Sequence, residues 1–347
     1  MAGCRASCAR DDDMVTKKQL DRAHDLDFRK TLDVRDFVPV KGPDFSGKMN
    51  LEEFIDSFKA TGFQATNLGI AVDLVRKMRK EKVKIVLTFT SNLTTSGIRD
   101  VIAFLAKNRH VDVLCTTGGG IEEDVLKCYD PFVLGHFDKD AKELYAKGMN
   151  RTGNIYVPDS IYAKFEKFTL ALLERFYKRQ LAENKILNGI ELVKEMGKEI
   201  NNESSFLYWA YKNNIPVFSP SILDGAIGDI VWFFKHQNPD FKFDSSEDIY
   251  RMNDMPLDAK ETGVIALGAG ASRHYVLNAH IFRGGTKYAV FVSSGTEWDG
   301  STSSAKPDEA YTWGKIKLFE PFYKNSVEVA GDATIIFPLI VAGAFLD

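Results

Sequence analysis

Short apolar runs alternate with small polar stretches over most of the chain. From residue 83 onward the alternation repeats as a sentence. Val83–Thr90 (VKIVLTFT) is β-branched and apolar, passes into SNLTTSG, and is followed by the helical run IRDVIAFLAKN. Val111–Cys115 (VDVLC) leads through TTGGG into IEEDVLKCY, and Ile215–Phe218 (IPVF) through SPSILDGAIGD into a second apolar helical run. Val264–Leu267 (VIAL) is followed by GAGAS and RHYVLNAHIF, and Lys287–Val292 (KYAVFV) by SSGTEWDGSTSS. Apolar strands with Gly/Ser/Thr-rich exits, mostly followed by helices, predict a doubly wound, mostly parallel α/β sheet of Rossmann-like type. Loops at the carboxyl ends of such strands converge on one edge, where ligands bind at a topological switch point.

Before residue 83 the pattern predicts helices. Asn50 is placed to cap a helix that starts at Leu51 and runs through LEEFIDSFKA to a stop at Gly62; a second follows in LGIAVDLVRKMRKEK. Residues 1–46 are polar, rich in charge and weakly periodic, which predicts an arm without a core of its own, and residues 47–347 form one large domain. The apolar stretch from Ala333 to Leu346 contains Pro338 and is too short for a membrane span, so it reads as a buried C-terminal segment.

Composition narrows the classes. The chain of 347 residues is 44% hydrophobic and 27% charged, ordinary for a globular protein. Its 45 basic and 48 acidic side chains leave a net charge of −3, which disfavours nucleic acid as a partner. The N-terminal MAGCRASCARDDD has no apolar signal core, so a cytoplasmic location is expected, with no membrane partner. The cysteines Cys4, Cys8, Cys115 and Cys128 are too few for a disulfide scaffold and form no C-x-x-C pair, so structural zinc is not expected.

The strand exits carry the candidate chemistry. In TTGGG, Thr116–Gly120, consecutive glycines let a ligand approach the backbone, and the following helix start offers unpaired N–H groups; a ligand-free turn is the plainer alternative. GAGAS, starting at Gly268, holds only the first two glycines of a dinucleotide fingerprint. Ser293–Gly295 and Thr90–Ser96 add donors, and together these loops favour a nucleotide pocket. Acidic residues gather on the same edge: Glu122, Glu123 and Asp124 opening a helix, Asp224 and Asp229, Glu297 and Asp299, Asp308 and Glu309. Some are expected to be macrodipole partners or turn caps. Their concentration suggests a cation, either a polyamine or a divalent metal, although no H-x-H or H-E-x-x-H spacing supports a metal.

His274, just after GAGAS, is a candidate acid/base or ligand contact, while a lone histidine is more often structural. Lys315 lies in DEAYTWGKI between Trp313, Gly314 and Ile316. Burial there would free a neutral amine for imine chemistry; a stem packed on Trp with its head in water is the commoner arrangement.

Phrases from TGFQATN (Thr61–Asn67) through TSNLTTSGIRD, VDVLCTTGGGIEED, GKEINN, IPVFSPSILDGAIGD and WDGSTSSAKPDEAYTWGKI to FPLIVA occur in order from about residue 45 onward. In these the chain resembles the deoxyhypusine synthase family. The resemblance implies an NAD-dependent transferase that moves the 4-aminobutyl group of spermidine, through an imine on an active-site lysine, to one lysine of the translation initiation factor 5A precursor. It places Lys315 as that lysine and His274 as its catalytic companion. It assigns Ser91, Asn92, Thr95, Thr117, Gly118, Gly119, Glu123, Asp224, Gly268, Ser294, Gly295, Asp332 and Ala333 to the cofactor. To the polyamine it assigns Glu122, Glu123, Asp229, His274, Gly300, Ser301, Glu309 and Trp313.

The chain departs from the family pattern at Thr302, where an acid is usual, at Ala269, and at Arg273–His274–Tyr275 in place of KHH. The resemblance further implies a homotetramer with shared sites, in which the arm covers a neighbour's site. It leaves open a homospermidine synthase, with putrescine as acceptor, and a weakly catalytic partner subunit in a heterotetramer with a paralogue. Lys315 and His274 speak against the last, and Thr302 for it.

Overall fold

A computed structural model describes residues 15–27, 33–268, 270–319 and 325–346. Cys4, Cys8 and Ala269 lie outside the described residues. One compact unit spans Lys41–Asp347. Before it, the described residues include one exposed helix, Lys17–Asp27.

The main sheet is built from β1 (Lys84–Phe89), β2 (Val113–Cys115), β6 (Val217–Phe218), β7 (Thr262–Leu267), β8 (Tyr288–Ser293) and β9 (Ser326–Ala330). Its order is β6-β2-β1-β7-β8-β9, and every pairing is parallel. From β1 the chain builds outward to β2 and β6 on one side, then returns to add β7, β8 and β9 on the other. The switch point therefore falls between β1 and β7. A small antiparallel sheet, order β3-β5-β4, joins Val133–Leu134 (β3), Met149–Thr152 (β4) and Ile155–Pro158 (β5).

The strands are apolar at successive positions because both faces are covered. Leu87, Leu114, Ile265, Val290 and Val327 align across the sheet and all enter one core layer. Their neighbours Val86, Val113, Val264 and Ala289 enter the other layer, with Phe291, Val276 and Tyr311. The first layer is thick, closed by helices Phe63–Lys80, Ile98–Lys107, Ser160–Glu183 and Ala333–Phe345. The second is thinner, closed by Ser246–Leu257, Ala271–Ala279 and Pro307–Thr312.

Asn50 caps its helix as its sequence position implies. Its Oδ1 accepts from Glu53 N–H at 2.9 Å while its own N–H donates to Glu53 Oε2 at 3.0 Å. The helix is shorter than predicted, Leu51–Ser57 with a 3₁₀ turn to Ala60, and Gly62 begins the next one instead of ending this one. Gly62 has φ +98° and its N–H donates to Thr66 Oγ1 at 2.9 Å, so the following helix starts at Phe63. The C-terminal stretch forms helix Ala333–Phe345, buried through Phe337, Ile340 and Val341 despite its internal proline.

Candidate functional site

The loops singled out in the sequence all leave carboxyl ends of the main sheet, and the structure gathers them into two groups on either side of the switch point. The first is built by the exits of β1, β2 and β6. A Cβ on Gly119 would lie 3.0 Å from Ser91 Cβ, and one on Gly118 would lie 2.7 Å from Asp224 Oδ1 and 2.8 Å from the Ser221 carbonyl oxygen. The glycines thus let three loops meet. The helix they open, Gly118–Leu126, carries no side-chain cap from Thr117, so its first N–H groups lack a side-chain partner. Close by, the buried hydroxyls of Thr116, Ser219 and Ser221 make no hydrogen bond.

The helix starting at Gly118 also changes the reading of the three acids. Glu122, Glu123 and Asp124 lie beyond its first turn and are not its macrodipole partners. Successive residues point about 100° apart on a helix, and each acid has a different task. Glu122 is buried and its Oε1 accepts from Ile227 N–H at 2.7 Å, capping helix Ala226–Gln237. Asp124 is fully buried; it accepts from Arg99 Nε at 2.7 Å, from Ser205 Oγ at 2.5 Å, and from the N–H groups of Phe206 and Leu207 at 3.2 Å. It therefore holds the start of helix Phe206–Asn213. Glu123 alone meets the Ser91–Thr95 helix, accepting from Thr95 Oγ1 at 2.5 Å. Burial raises its carboxyl to about 7, with the Thr95 hydrogen bond and Lys127 opposing the rise.

Asp224 and Asp229 join this group electrostatically: after burial, both help to keep Glu122 more easily protonated than usual. Tyr162, from helix Ser160–Glu183, faces the same carboxylates, and burial followed by Glu123 and Glu122 raises its phenol. No motif marks Tyr162 in the sequence, because it reaches the group only through the packing of a distant helix.

The second group stands on the exits of β7 and β8 and on helix Pro307–Thr312. Gly268 and Gly270 adopt φ +69° and +89°, and helix Ala271–Ala279 begins there without a side-chain cap. A Cβ on Gly268 would approach Thr90 Oγ1 to 3.0 Å, which sets this group beside the β1 exit. Lys315 is fixed at both backbone ends. Its N–H donates to Ala310 at 2.9 Å and its carbonyl accepts from Thr286 at 3.0 Å, after a reversal at Gly314 with φ +70°. Its Nζ stands 5.6 Å from the centroid of the exposed Trp313 ring.

Lys315 is half-buried, and burial lowers the pKa of its amine; Glu309 opposes the shift and Arg273 adds to it. The pKa of His274 is lowered by desolvation and by the charge of Lys315. Arg273 lies behind them, fully buried, with its guanidinium 3.9 Å from the Phe291 ring centroid and bonded to the Ala305 carbonyl.

Other assigned residues occupy a rim. Ser294 and Gly295 are exposed after β8. Asp332 Oδ1 accepts from Thr334 N–H at 2.8 Å, capping the C-terminal helix that starts at buried Ala333. Gly300 (φ +64°) and Ser301 form a turn in which Asp299 Oδ1 accepts from Ser301 N–H at 2.7 Å and Ser304 Oγ at 2.5 Å. A cavity of about 590 Å³ beside this turn is lined by Asn67, Trp298, Lys306 and Glu328, and shares only Gly295 with the assigned residues. Glu297 and Asp308 of the acidic edge also line this cavity, whereas Lys315, His274 and Glu123 lie in the two groups above.

A family model described as deoxyhypusine synthase matches residues 53–344. A deoxyhypusine synthase of Musa acuminata is 40% identical over 357 residues, covering 95% of this chain and 94% of its own length. The chain belongs to the deoxyhypusine synthase family. A second deoxyhypusine synthase, from Senecio vernalis, is 42% identical and 88% covered on both sides. A crystal structure assigned to the deoxyhypusine synthases, from Entamoeba histolytica, is 26% identical with a TM-score of 0.61, covering 88% of this chain and 96% of its own. The doubly wound α/β fold agrees with that likeness, and the family is one of transferases. Among the described residues, no helix is long and apolar enough to cross a membrane.

Proposed function

We propose that this chain is a deoxyhypusine synthase, transferring the 4-aminobutyl group of spermidine through Lys315 to a lysine of the translation initiation factor 5A precursor. The observation that carries the reading is Lys315: a half-buried amine on a backbone pinned at both ends, with its pKa lowered, beside His274 and Trp313.

NAD suits the loop edge. The uncapped starts of helices Gly118–Leu126 and Ala271–Ala279, the close glycine approaches and the orphaned hydroxyls of Thr116, Ser219 and Ser221 supply donors for a dinucleotide. Ser91, Asn92, Thr95, Thr117 and Asp224 surround that edge, with Ser294, Gly295 and Asp332 as its rim. NAD bound there would supply a hydride acceptor for the carbon beside the secondary amine of spermidine and a hydride donor for the final reduction.

The chain's own groups do the rest. Glu123, Asp229 and Glu309 offer carboxylates to the ammonium groups, and the Trp313 face packs against the carbon chain. Neutral Lys315 adds to the oxidised carbon of spermidine and expels 1,3-diaminopropane. Its nitrogen is then joined to the aminobutyl group as an imine. His274, whose pKa is lowered by desolvation and by Lys315, accepts the proton that Lys315 loses and gives it to the departing amine. The acceptor lysine displaces Lys315, which regains its free amine as the aminobutyl imine passes to the acceptor.

The pH dependence follows from the same groups. Glu123 ionises above about 7, and Lys315 must shed its proton to attack. Transfer is expected to rise with pH through neutrality, and Glu123→Gln to weaken spermidine binding and remove the Glu123 part of that rise in initial-rate profiles. A profile unchanged in Glu123→Gln contradicts the role given to Glu123.

The activity itself is tested by incubating the full chain with NAD, labelled spermidine and either the factor 5A precursor or putrescine. Label in the precursor supports the proposal. Label in putrescine alone makes the chain a homospermidine synthase, and label in neither, with NAD bound, overturns the proposal.

A further inference from the structure

One half-buried cation beside the first group has no part in the chemistry above. Lys127 follows Glu123 by one helical turn, and its Nζ donates to the Thr94 carbonyl at 2.6 Å and to the Ser96 carbonyl at 2.8 Å. These oxygens lie on the two sides of Thr95, whose hydroxyl donates to Glu123. The result is a closed ring of contacts: helix residue 123 to Thr95, along the backbone to Thr94 and Ser96, across to helix residue 127, and back by one turn. The Lys127 Nζ also lies over the Phe132 ring, 5.2 Å from its centroid.

We infer that Lys127 is a positioning residue: by gripping the carbonyls on either side of Thr95 it holds the threonine hydroxyl on Glu123 and fixes that carboxylate where it meets a substrate ammonium. The inference rests on the polyamine role proposed for Glu123.

The ring does two jobs that a solvent-exposed lysine would not. The Ser91–Thr95 helix is only five residues long, too short to be stable by its own hydrogen bonds, so two charge-assisted contacts at its end set its place against Gly118–Leu126. The ammonium also favours the ionised form of Glu123, opposing burial. The other groups facing Glu123 are Thr95, Glu122 and the Tyr162 phenol; those facing Lys127 are Arg99 and Asp100 of helix Ile98–Lys107, and Asp124. Burial and Arg99 bring Lys127 itself down to about 8, so it remains mainly charged at neutral pH.

The test reads Glu123 directly. In the full chain labelled with carbon-13 at glutamate carboxyls, the Glu123 signal is assigned by its loss in Glu123→Gln and titrated in Lys127→Met, Lys127→Gln and Lys127→Arg. Its midpoint is expected at about 7 in the parent chain, about one pH unit higher in Lys127→Met, and back toward the parent value in Lys127→Arg. With spermidine as substrate, KM is expected to rise about tenfold in Lys127→Met, with kcat little altered.

If Lys127→Met does not fold, Lys127→Gln, which keeps donors to the carbonyls and lacks the charge, is expected to show the raised midpoint. A merely structural lysine would lower the melting temperature and leave the midpoint where it was; that result in a folded variant overturns the inference. A shifted midpoint in a chain that transfers no aminobutyl group supports the clamp and removes the proposed function instead.

Discussion

Lys315→Ala is expected to abolish aminobutyl transfer and to leave NAD binding within about twofold of the parent chain. The first half follows from chemistry. Imine formation needs a primary amine at that position, and no neighbouring group replaces it: Arg273 is a guanidinium packed on Phe291, and His274 forms no stable imine. The loss is expected to reach at least about ten-thousandfold, down to the assay background. The second half follows from position. Lys315 is on the segment after helix Pro307–Thr312, whereas the uncapped helix starts and close-packed glycines lie at the β1, β2, β6 and β7 exits. Lys315→Arg is expected to be equally inactive, because the planar cation neither loses its proton nor attacks. Transfer retained by either variant would remove Lys315 as the carrier. Joint loss of NAD binding and transfer would show a collapsed site instead.

The largest stability effect is expected at Asp124, a residue that the sequence groups with two pocket acids. Asp124→Ala removes the only carboxylate among the described residues that is bonded to the buried Arg99 guanidinium, and leaves Ser205 Oγ and the Phe206 and Leu207 N–H groups without that partner. Breaking a buried pair from one side costs about 3–5 kcal/mol, because the remaining charge stays out of water. Urea unfolding of the full chain at neutral pH measures it. Asp124→Asn, which still accepts hydrogen bonds, is expected to lose less, and the double variant Arg99→Met with Asp124→Leu less than Asp124→Ala. An Asp124→Ala chain as stable as the parent would refute the assignment of Asp124 to the scaffold.

These residues show where sequence reading succeeds and where it stops. The five strand-and-exit units were visible because strands covered on both faces must be apolar throughout, as Val86 and Leu87 illustrate by entering opposite layers. Asn50 was visible because a cap and its Glu53 partner are local. β9 was not marked: Glu328 interrupts a short strand at the sheet edge. The small sheet and the long helix Ser160–Glu183 lack a strand-exit signal, yet that helix delivers Tyr162 to the site.

The acids are the sharper case. Composition put Glu122, Glu123 and Asp124 together, but the helix begins at Gly118, where glycines hide its start, and its turn sends three adjacent carboxylates to three partners. Among the described residues, Glu123 is the one of the three whose carboxylate accepts no backbone N–H. Lys315 shows the opposite pattern. The apolar neighbours in sequence raised the question of desolvation, while the charge that assists it, Arg273, comes from another strand exit and is legible only in the fold.

The most direct measurement is reductive trapping. The full chain is incubated with NAD and spermidine without acceptor, reduced with borohydride, digested and sequenced by mass spectrometry. The account predicts an aminobutyl adduct on Lys315, dependent on NAD. Transfer that proceeds with no adduct, or with the adduct on another lysine, would contradict it.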